Sequence, residues 1–474
     1  MVFSGLAFLL LFLPLCCACY FFGKSIRWRN AVLLVFSLLF YAWGEPTLIL
    51  VMLFTTLVNY LSALAVDKAE RKVVRTLFLV LGVGVSLLAL IYFKYAGFFL
   101  ELIGSAFGFR IPFEPPTMPI GISFYTFQIF TYTIDVYRRK VPVQKNPAHL
   151  LLYVSCFPQL IAGPIVQYGD VAPMLCERST SMEDFTHGMR RFAVGLFKKV
   201  LFANLCAQAL EGCALGTERM SVLGAWLAAL LYALQLYFDF SAYSDMAIGL
   251  GRVFGFKYKE NFDYPYRSLS PSEFWRRWHI SLGSFFRDYL YIPLGGNRKG
   301  AFRTVVNLFI VWTLTGLWHG ASMNFVLWGM YWFVLLTIDK QIGKQRLEKI
   351  PALLRWVVTF VLTLIGWVLF YYTDLSAVGT HLLAMFGIGV SGFMDASTAE
   401  VLQEYALFLP ILCIAATPIV PWLKERIAAR RLLSAWQDIA ALVVLTGALS
   451  SHWALVLHWD DTAELVGAAD FSVE

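Results

Sequence analysis

The sequence predicts an all-α polytopic membrane protein, a bundle of about eleven transmembrane helices with re-entrant or interfacial helices beside them. Three observations carry that prediction. Of 474 residues, 59% are hydrophobic and only 15% charged, against about 25% charged in an average soluble domain. Mean hydropathy is +0.66, which excludes a disordered chain as firmly as it excludes a soluble one. The apolar residues are also gathered into runs near the length that crosses a bilayer as helix, about 20 residues.

Taken in order, the runs lie near 3–22, 31–44, 47–65, 76–93 and 118–137. Less regular ones follow near 148–165, 192–210 and 221–250, and a last group near 303–318, 320–338, 354–373, 405–423 and 433–457. The shorter runs read as tilted, partial or re-entrant segments. The first has no basic flank before it and no small-residue cleavage pattern after it, so it reads as a retained helix rather than a signal peptide. No internal repeat stands out at a fixed period, and the chain reads as one integral membrane domain over 1–474.

The net charge of +7 does not point to nucleic acid, because Lys and Arg in a membrane protein collect on cytoplasmic loops. Lys24, Arg27 and Arg29 follow the first run, Lys68, Arg71, Lys72 and Arg75 the third, and Arg138, Arg139 and Lys140 the fifth. Lys340, Lys344, Arg346 and Lys349 form another basic loop, and Lys424, Arg426, Arg430 and Arg431 the last. The stretches 374–404 and 459–474 carry acids and no Lys or Arg. This alternation predicts a multi-pass protein with both termini extracytoplasmic and membrane lipid as its surroundings. The eight cysteines offer no disulfide framework and no convincing metal site, although Cys16 to Cys19 formally has C-x-x-C spacing. Cys16, Cys17 and Cys19, inside the first apolar run, read as packing residues. No metal is expected.

Polar residues in a passive bundle belong at its ends, and the stretch 235–300 departs from that rule. Gln235, Asp239, Ser241, Tyr243, Ser244 and Asp245 continue directly from an apolar run. Intramembrane carboxylates are costly and face a partner or a polar cavity; the alternative is a pair of caps at a helix break. The turn Asn261-Phe262-Asp263-Tyr264-Pro265 leads into Ser270-Pro271-Ser272-Glu273, a helix start with Ser270 or Ser272 as its cap. If helix continues from there, Phe274, Trp278 and Ser281 share a side, and Trp275 and His279 stack one turn apart. Arg276 and Arg277 serve either as interface anchors with the tryptophans or as ligands for a phosphate or carboxylate. His319, between Gly316 and Gly320, is the histidine most deeply embedded in apolar sequence. The glycines permit close approach of another backbone or a ligand. A neutral imidazole shielded by membrane can take a proton from a hydroxyl. Taken alone, an embedded histidine is more often a hydrogen-bonded structural residue; the flanking glycines shift that balance, and composition and spacing stop at a buried histidine in a polar cavity.

At these residues the sequence resembles a known family, the membrane-bound O-acyltransferases, most closely its bacterial branch of alginate O-acetylation. The resemblance rests on Met1 through Ser4, Pro119 through Tyr125, Gly163-Pro164, Gln235 through Gly249 and Glu273 through Ser281. It continues in Asp288 through Leu290, Gly295 through Arg298 and Gly316 through Ala321. It is strongest over 1–340; the transmembrane segments of 341–474 rest mainly on hydropathy. It implies a horseshoe of helices around a central tunnel, with His319 catalytic and His279 lining the tunnel. His279 would orient His319, donate to the thioester oxygen or bind the donor. Trp275, Asn324, Gln235, Asp239, Ser241, Tyr243 and Asp245 are supporting candidates.

The function implied is transfer of an acetyl group from a cytoplasmic thioester, acetyl-CoA rather than an acyl carrier, for O-acetylation of an extracytoplasmic polysaccharide. Alginate, peptidoglycan and other exopolysaccharides all fit as the acceptor. No cofactor is bound. An extracytoplasmic acetyltransferase partner and the inner membrane of a bacterium complete the expectation. The alternatives are D-alanyl transfer to teichoic acid from a carrier protein, acylation of a lipid or protein, and a transporter. The absence of an evident inverted repeat weighs against the last.

Overall fold

The computed structural model describes residues 2–419 apart from 110, 162, 214 and 216–219, together with 422 and 426. Every regular element among them is helical. The expected final run near 433–457, the acidic tail 459–474 and the basic residues Lys424, Arg430 and Arg431 lie outside the described residues.

Among the described residues, six helices are long and apolar enough to cross a membrane: Ile49–Lys68, Lys72–Phe107, Met182–Glu211, Val222–Val253, Ala301–His319 and Ala352–Tyr371. The bent pair Ala396–Glu404 and Phe408–Ala415 makes a seventh if it counts as one span. Of the other expected runs, those near 31–44 and 320–338 fall in the helices Ile26–Gly44 and Met323–Ile342, long enough but less apolar, and others are divided or short. The run near 148–165 becomes the helices Pro147–Ser155 and Phe157–Leu160, because Pro158, Gly163 and Pro164 cannot continue one helix. The spans differ in what they meet. Only 17% of the Lys72–Phe107 window is buried, against 72% for Val222–Val253. Val73, Leu77, Val80, Leu81 and Leu88 of the former stand exposed, as a lipid-facing surface requires. The latter is an interior helix.

The chain forms two compact units. Among the described residues, one comprises 2–192 with Met246–Lys259, the other Ala193–Asp245 with those from Glu260 on. In the first, the helices Ile49–Lys68, Lys72–Leu90 and Ile122–Tyr137 are pinned by one amide. Asn59 Nδ2 donates to Ser86 Oγ at 2.7 Å, and Thr133 Oγ1 donates to Asn59 Oδ1 at 2.8 Å.

In the second unit the helices Ala301–His319 and Met323–Ile342 form a tight hairpin. A Cβ on Gly316 would lie 2.3 Å from the Phe325 carbonyl oxygen, and one on Gly329 2.3 Å from that of Trp312. Gly316 therefore serves the approach of a second backbone, one of the two uses its position suggested. The helix stops at His319 because the chain runs extended at Gly320, where a Cβ would strike the Phe325 ring.

Candidate active site

The site is built in the second unit, from the break between two short helices and the end of the Ala301–His319 helix. Ser270 caps the helix Pro271–Arg277 by accepting the Glu273 N–H at 3.2 Å, and the Glu273 carboxylate accepts the Leu269 N–H at 3.0 Å. The reciprocal pair is a capping arrangement, with Pro271 in the first turn, where its missing N–H costs nothing.

The helix does not run on to Ser281. It ends at Arg277; Trp278 is extended, His279 takes a left-handed backbone at φ +45°, and a new helix starts at Ile280. This corrects the expectation that Trp275 and His279 stack one turn apart. The cause is Asn261, fully buried on the preceding turn. Its carbonyl accepts the Ile280 N–H at 2.9 Å, and its side-chain oxygen accepts the Ser281 N–H at 3.1 Å. Together these hold a conformation that residues with a Cβ rarely adopt.

His279 is 1% exposed, and burial pushes its imidazole down to about 3, so the ring is neutral at physiological pH. Its Nδ1 lies 3.2 Å from Asn261 Oδ1. Phe240 stands edge-on at 4.7 Å between ring centres, and Trp318 lies at 5.9 Å. His319, half-buried, is the last helical residue. Its ring meets Trp318 at 4.8 Å, Trp328 at 5.0 Å and Phe370 at 5.1 Å, all steeply edge-on. The structure thus brings both histidines to opposite dealings with one indole, Trp318.

Two adjoining cavities share part of their lining. A vestibule of about 790 Å³ is lined by Arg276, Lys340, Lys344 and Arg355 with the acids Glu273, Asp339 and Glu348. A chamber of about 280 Å³ is lined by Trp275, His279, Trp312 and Thr315. Ser272, Arg276, Tyr291 and Leu308 line both. The larger cavity is lined mainly by charged and polar residues, and the smaller one by Trp275, Trp312, Phe286 and other apolar residues with Arg276 and Arg287. This division suits a substrate with an anionic head and a neutral arm. His319 is on neither wall.

The remaining candidates divide. Arg276 is exposed on the vestibule. Arg277 is instead tied to Glu273 at 2.9 Å and to the Asp263 carboxylate, which is a structural post. Trp275 lines the chamber, and its indole N–H has no hydrogen-bond partner among the described residues. Asn324, fully buried one turn past the break, likewise has no partner for either amide atom.

Gln235, Asp239, Ser241, Tyr243 and Asp245 sit on the interior helix Val222–Val253 and line neither cavity. Asp239 pairs with Lys199 at 2.8 Å and Asp245 with Lys198 at 2.6 Å. Both lysines come from the π-turn Lys198–Ala203, and Lys199 also lies 5.9 Å from the Tyr243 ring centre. The intramembrane acids have thus met cations, as a buried carboxylate must. Asn261, Trp312, Phe370, Asp339 and Arg355 escaped the sequence reading. An asparagine's contact 18 residues away leaves no trace in spacing, although its place in a polar, aromatic turn was a usable hint. No group of acidic, His and Cys residues among the described residues could hold a metal.

A family-wide profile described as MBOAT, membrane-bound O-acyltransferase family, matches residues 138–373. The chain is 41% identical to "Probable alginate O-acetylase AlgI" of Pseudomonas aeruginosa, over 88% of this chain and 81% of that protein. It is 33% identical to the peptidoglycan O-acetyltransferase of Helicobacter pylori, over 82% and 81%. The similarity extends, at 26% identity, to the teichoic acid D-alanyltransferase of Bacillus subtilis, covering 55% of this chain and 71% of that protein.

Proposed function

We propose, for a chain that belongs to the membrane-bound O-acyltransferase family and is a multi-pass membrane O-acyltransferase, the following reaction. It takes an acetyl group from acetyl-CoA on the cytoplasmic side and passes it outward for O-acetylation of an extracytoplasmic polysaccharide. Relatives named for alginate, peptidoglycan and teichoic acid support acyl transfer to a cell-surface polymer. The observation that supports the donor is the charged vestibule, with Arg276, Lys340, Lys344 and Arg355 on its wall, beside a chamber lined by Trp275, Trp312 and His279.

In this reading Arg276 meets donor phosphates at the vestibule mouth, where a guanidinium binds them in paired hydrogen bonds. The indole walls of the chamber exclude water that would otherwise hydrolyse the thioester. His319 is the general base. It takes the proton as the acceptor oxygen bonds to the carbonyl carbon, and returns it to the sulfur as the C–S bond breaks. Its place at the C-terminal end of a 19-residue helix suits an imidazolium, because the helix dipole is negative there. The basic loops face the cytoplasm of a bacterial inner membrane, the acidic 374–404 loop faces outward with both termini, and an extracytoplasmic partner receives or relays the acetyl group.

The test is transfer by the purified protein in detergent, with acetyl-CoA and D-alanyl carrier offered separately. Acetyl release from CoA to water or to an added hydroxyl acceptor is expected. Turnover of the carrier alone would reassign the donor.

A further inference from the structure

The hydrogen bonds around His279 determine which ring nitrogen carries its proton. The backbone N–H of Ser281 only donates, so the Asn261 amide atom 3.1 Å from it is the oxygen. The Ser281 hydroxyl gives its single proton to the same oxygen at 2.8 Å. His279 Nδ1 therefore faces two acceptors, Asn261 Oδ1 at 3.2 Å and Ser281 Oγ at 3.4 Å. A neutral imidazole in that setting is protonated on Nδ1 and keeps its lone pair on Nε2. The Asn261 amide cannot turn over to reverse this, because its nitrogen would then meet the Ser281 backbone N–H, donor against donor; as it stands, Nδ2 donates to Ser244 Oγ at 3.1 Å.

The ring of His279 lines the chamber. Its Nε2 is buried and has no hydrogen-bond partner among the described residues. A buried acceptor is costly unless something donates to it, and donation to a thioester oxygen is closed to a nitrogen without a proton. We propose that Asn261 is a positioning residue that fixes His279 with Nε2 as an acceptor, and that this acceptor takes an amide N–H from the pantetheine arm of the thioester donor. The inference rests on the acyl-thioester reading of the chamber. It goes further by assigning His279 to donor recognition rather than to the oxyanion.

Two measurements test it independently. Nitrogen-15 NMR of histidine-labelled protein without substrate, with the His279 signal identified by its loss in His279→Gln, reads the tautomer directly. Nδ1 protonated in the unaltered protein and in Asn261→Asp, but not uniformly in Asn261→Ala, is the expected result. Kinetics then use acetyl-pantetheine and an analogue whose amide nitrogens are replaced by ester oxygens. The replacement should raise KM about tenfold in the unaltered enzyme, the worth of one hydrogen bond, with kcat little changed. It should do the same in Asn261→Asp, which keeps an acceptor for Nδ1–H, and cost nothing further in Asn261→Ala.

Protonation of Nε2 in the unaltered protein would overturn the tautomer, and equal KM for amide and ester arms would overturn the ligand. If Asn261→Ala does not insert, Asn261→Asp and the two arms in the unaltered enzyme decide. Failure of the unaltered enzyme to turn over any acetyl thioester would defeat the functional reading itself, leaving the NMR result to stand or fall separately.

Discussion

Two buried asparagines, each fully enclosed in an apolar helix, show how differently this chain uses the same side chain. Asn59 spends both ends of its amide on neighbours: Nδ2 donates to Ser86 Oγ and the Thr55 carbonyl, and Oδ1 accepts from Thr133. Asn324 has no partner for either amide atom among the described residues. A satisfied buried amide joins helices, as polar groups do in membranes. An unsatisfied one is a standing cost, and Asn324 carries it next to the break after His319. If that difference reflects role, Asn59 is a structural post and Asn324 a residue of the reaction site, a division that substitutions test.

The largest expected effect lies on the substrate side of that division. His319→Gln keeps a hydrogen-bonding side chain but no base, so acetyl transfer should fall by about 10²-fold or more while the protein inserts and binds donor. Transfer assays on purified variant, with donor binding measured in parallel, check this. Near-normal turnover would remove the base from His319.

The two asparagines themselves come next. Asn324→Leu should lower transfer about tenfold and leave the melting temperature in detergent unchanged or higher, since it removes an unsatisfied buried amide. Asn59→Leu should do the reverse, costing about 1 kcal/mol of stability with unaltered kcat per folded molecule. If both variants lose stability alike and both keep kcat, the division collapses.

The adjacent arginines repeat the contrast on a smaller scale. Arg276→Gln should raise KM for acetyl-CoA about three- to tenfold with kcat preserved. Arg277→Gln should leave both constants alone and lower stability by less than about 1 kcal/mol, the worth of a half-exposed ion pair. Steady-state kinetics beside thermal melts separate the two.

The smallest effect is one of pH. His279 ionises near 3 when folded and near its ordinary 6.5 when unfolded, so below pH 6.5 the unfolded chain binds the extra proton. Its contribution to stability is full above pH 6.5 and is lost progressively as pH falls toward 3. Melting temperature should drop between pH 7 and pH 5, and His279→Gln should flatten that limb. An equal slope in the variant would place the titrating group elsewhere.

Much of this was written in the chain before it folded. Apolar runs set the all-helical membrane class, because only internally bonded helices survive in lipid without exposing backbone groups. Gly316, Gly320 and the Ser270–Glu273 cap were legible because close approach and helix starts are local demands on residue type. What spacing cannot carry is pairing across distance. That Asp239 and Asp245 are neutralised by Lys199 and Lys198, and that Arg277 is tied down while Arg276 is not, depends on which elements meet. The break at Trp278–His279 is of the same kind. Local sequence there favours continued helix, and Asn261, 18 residues earlier, overrides it with hydrogen bonds that exist only once the turn and the two short helices have packed.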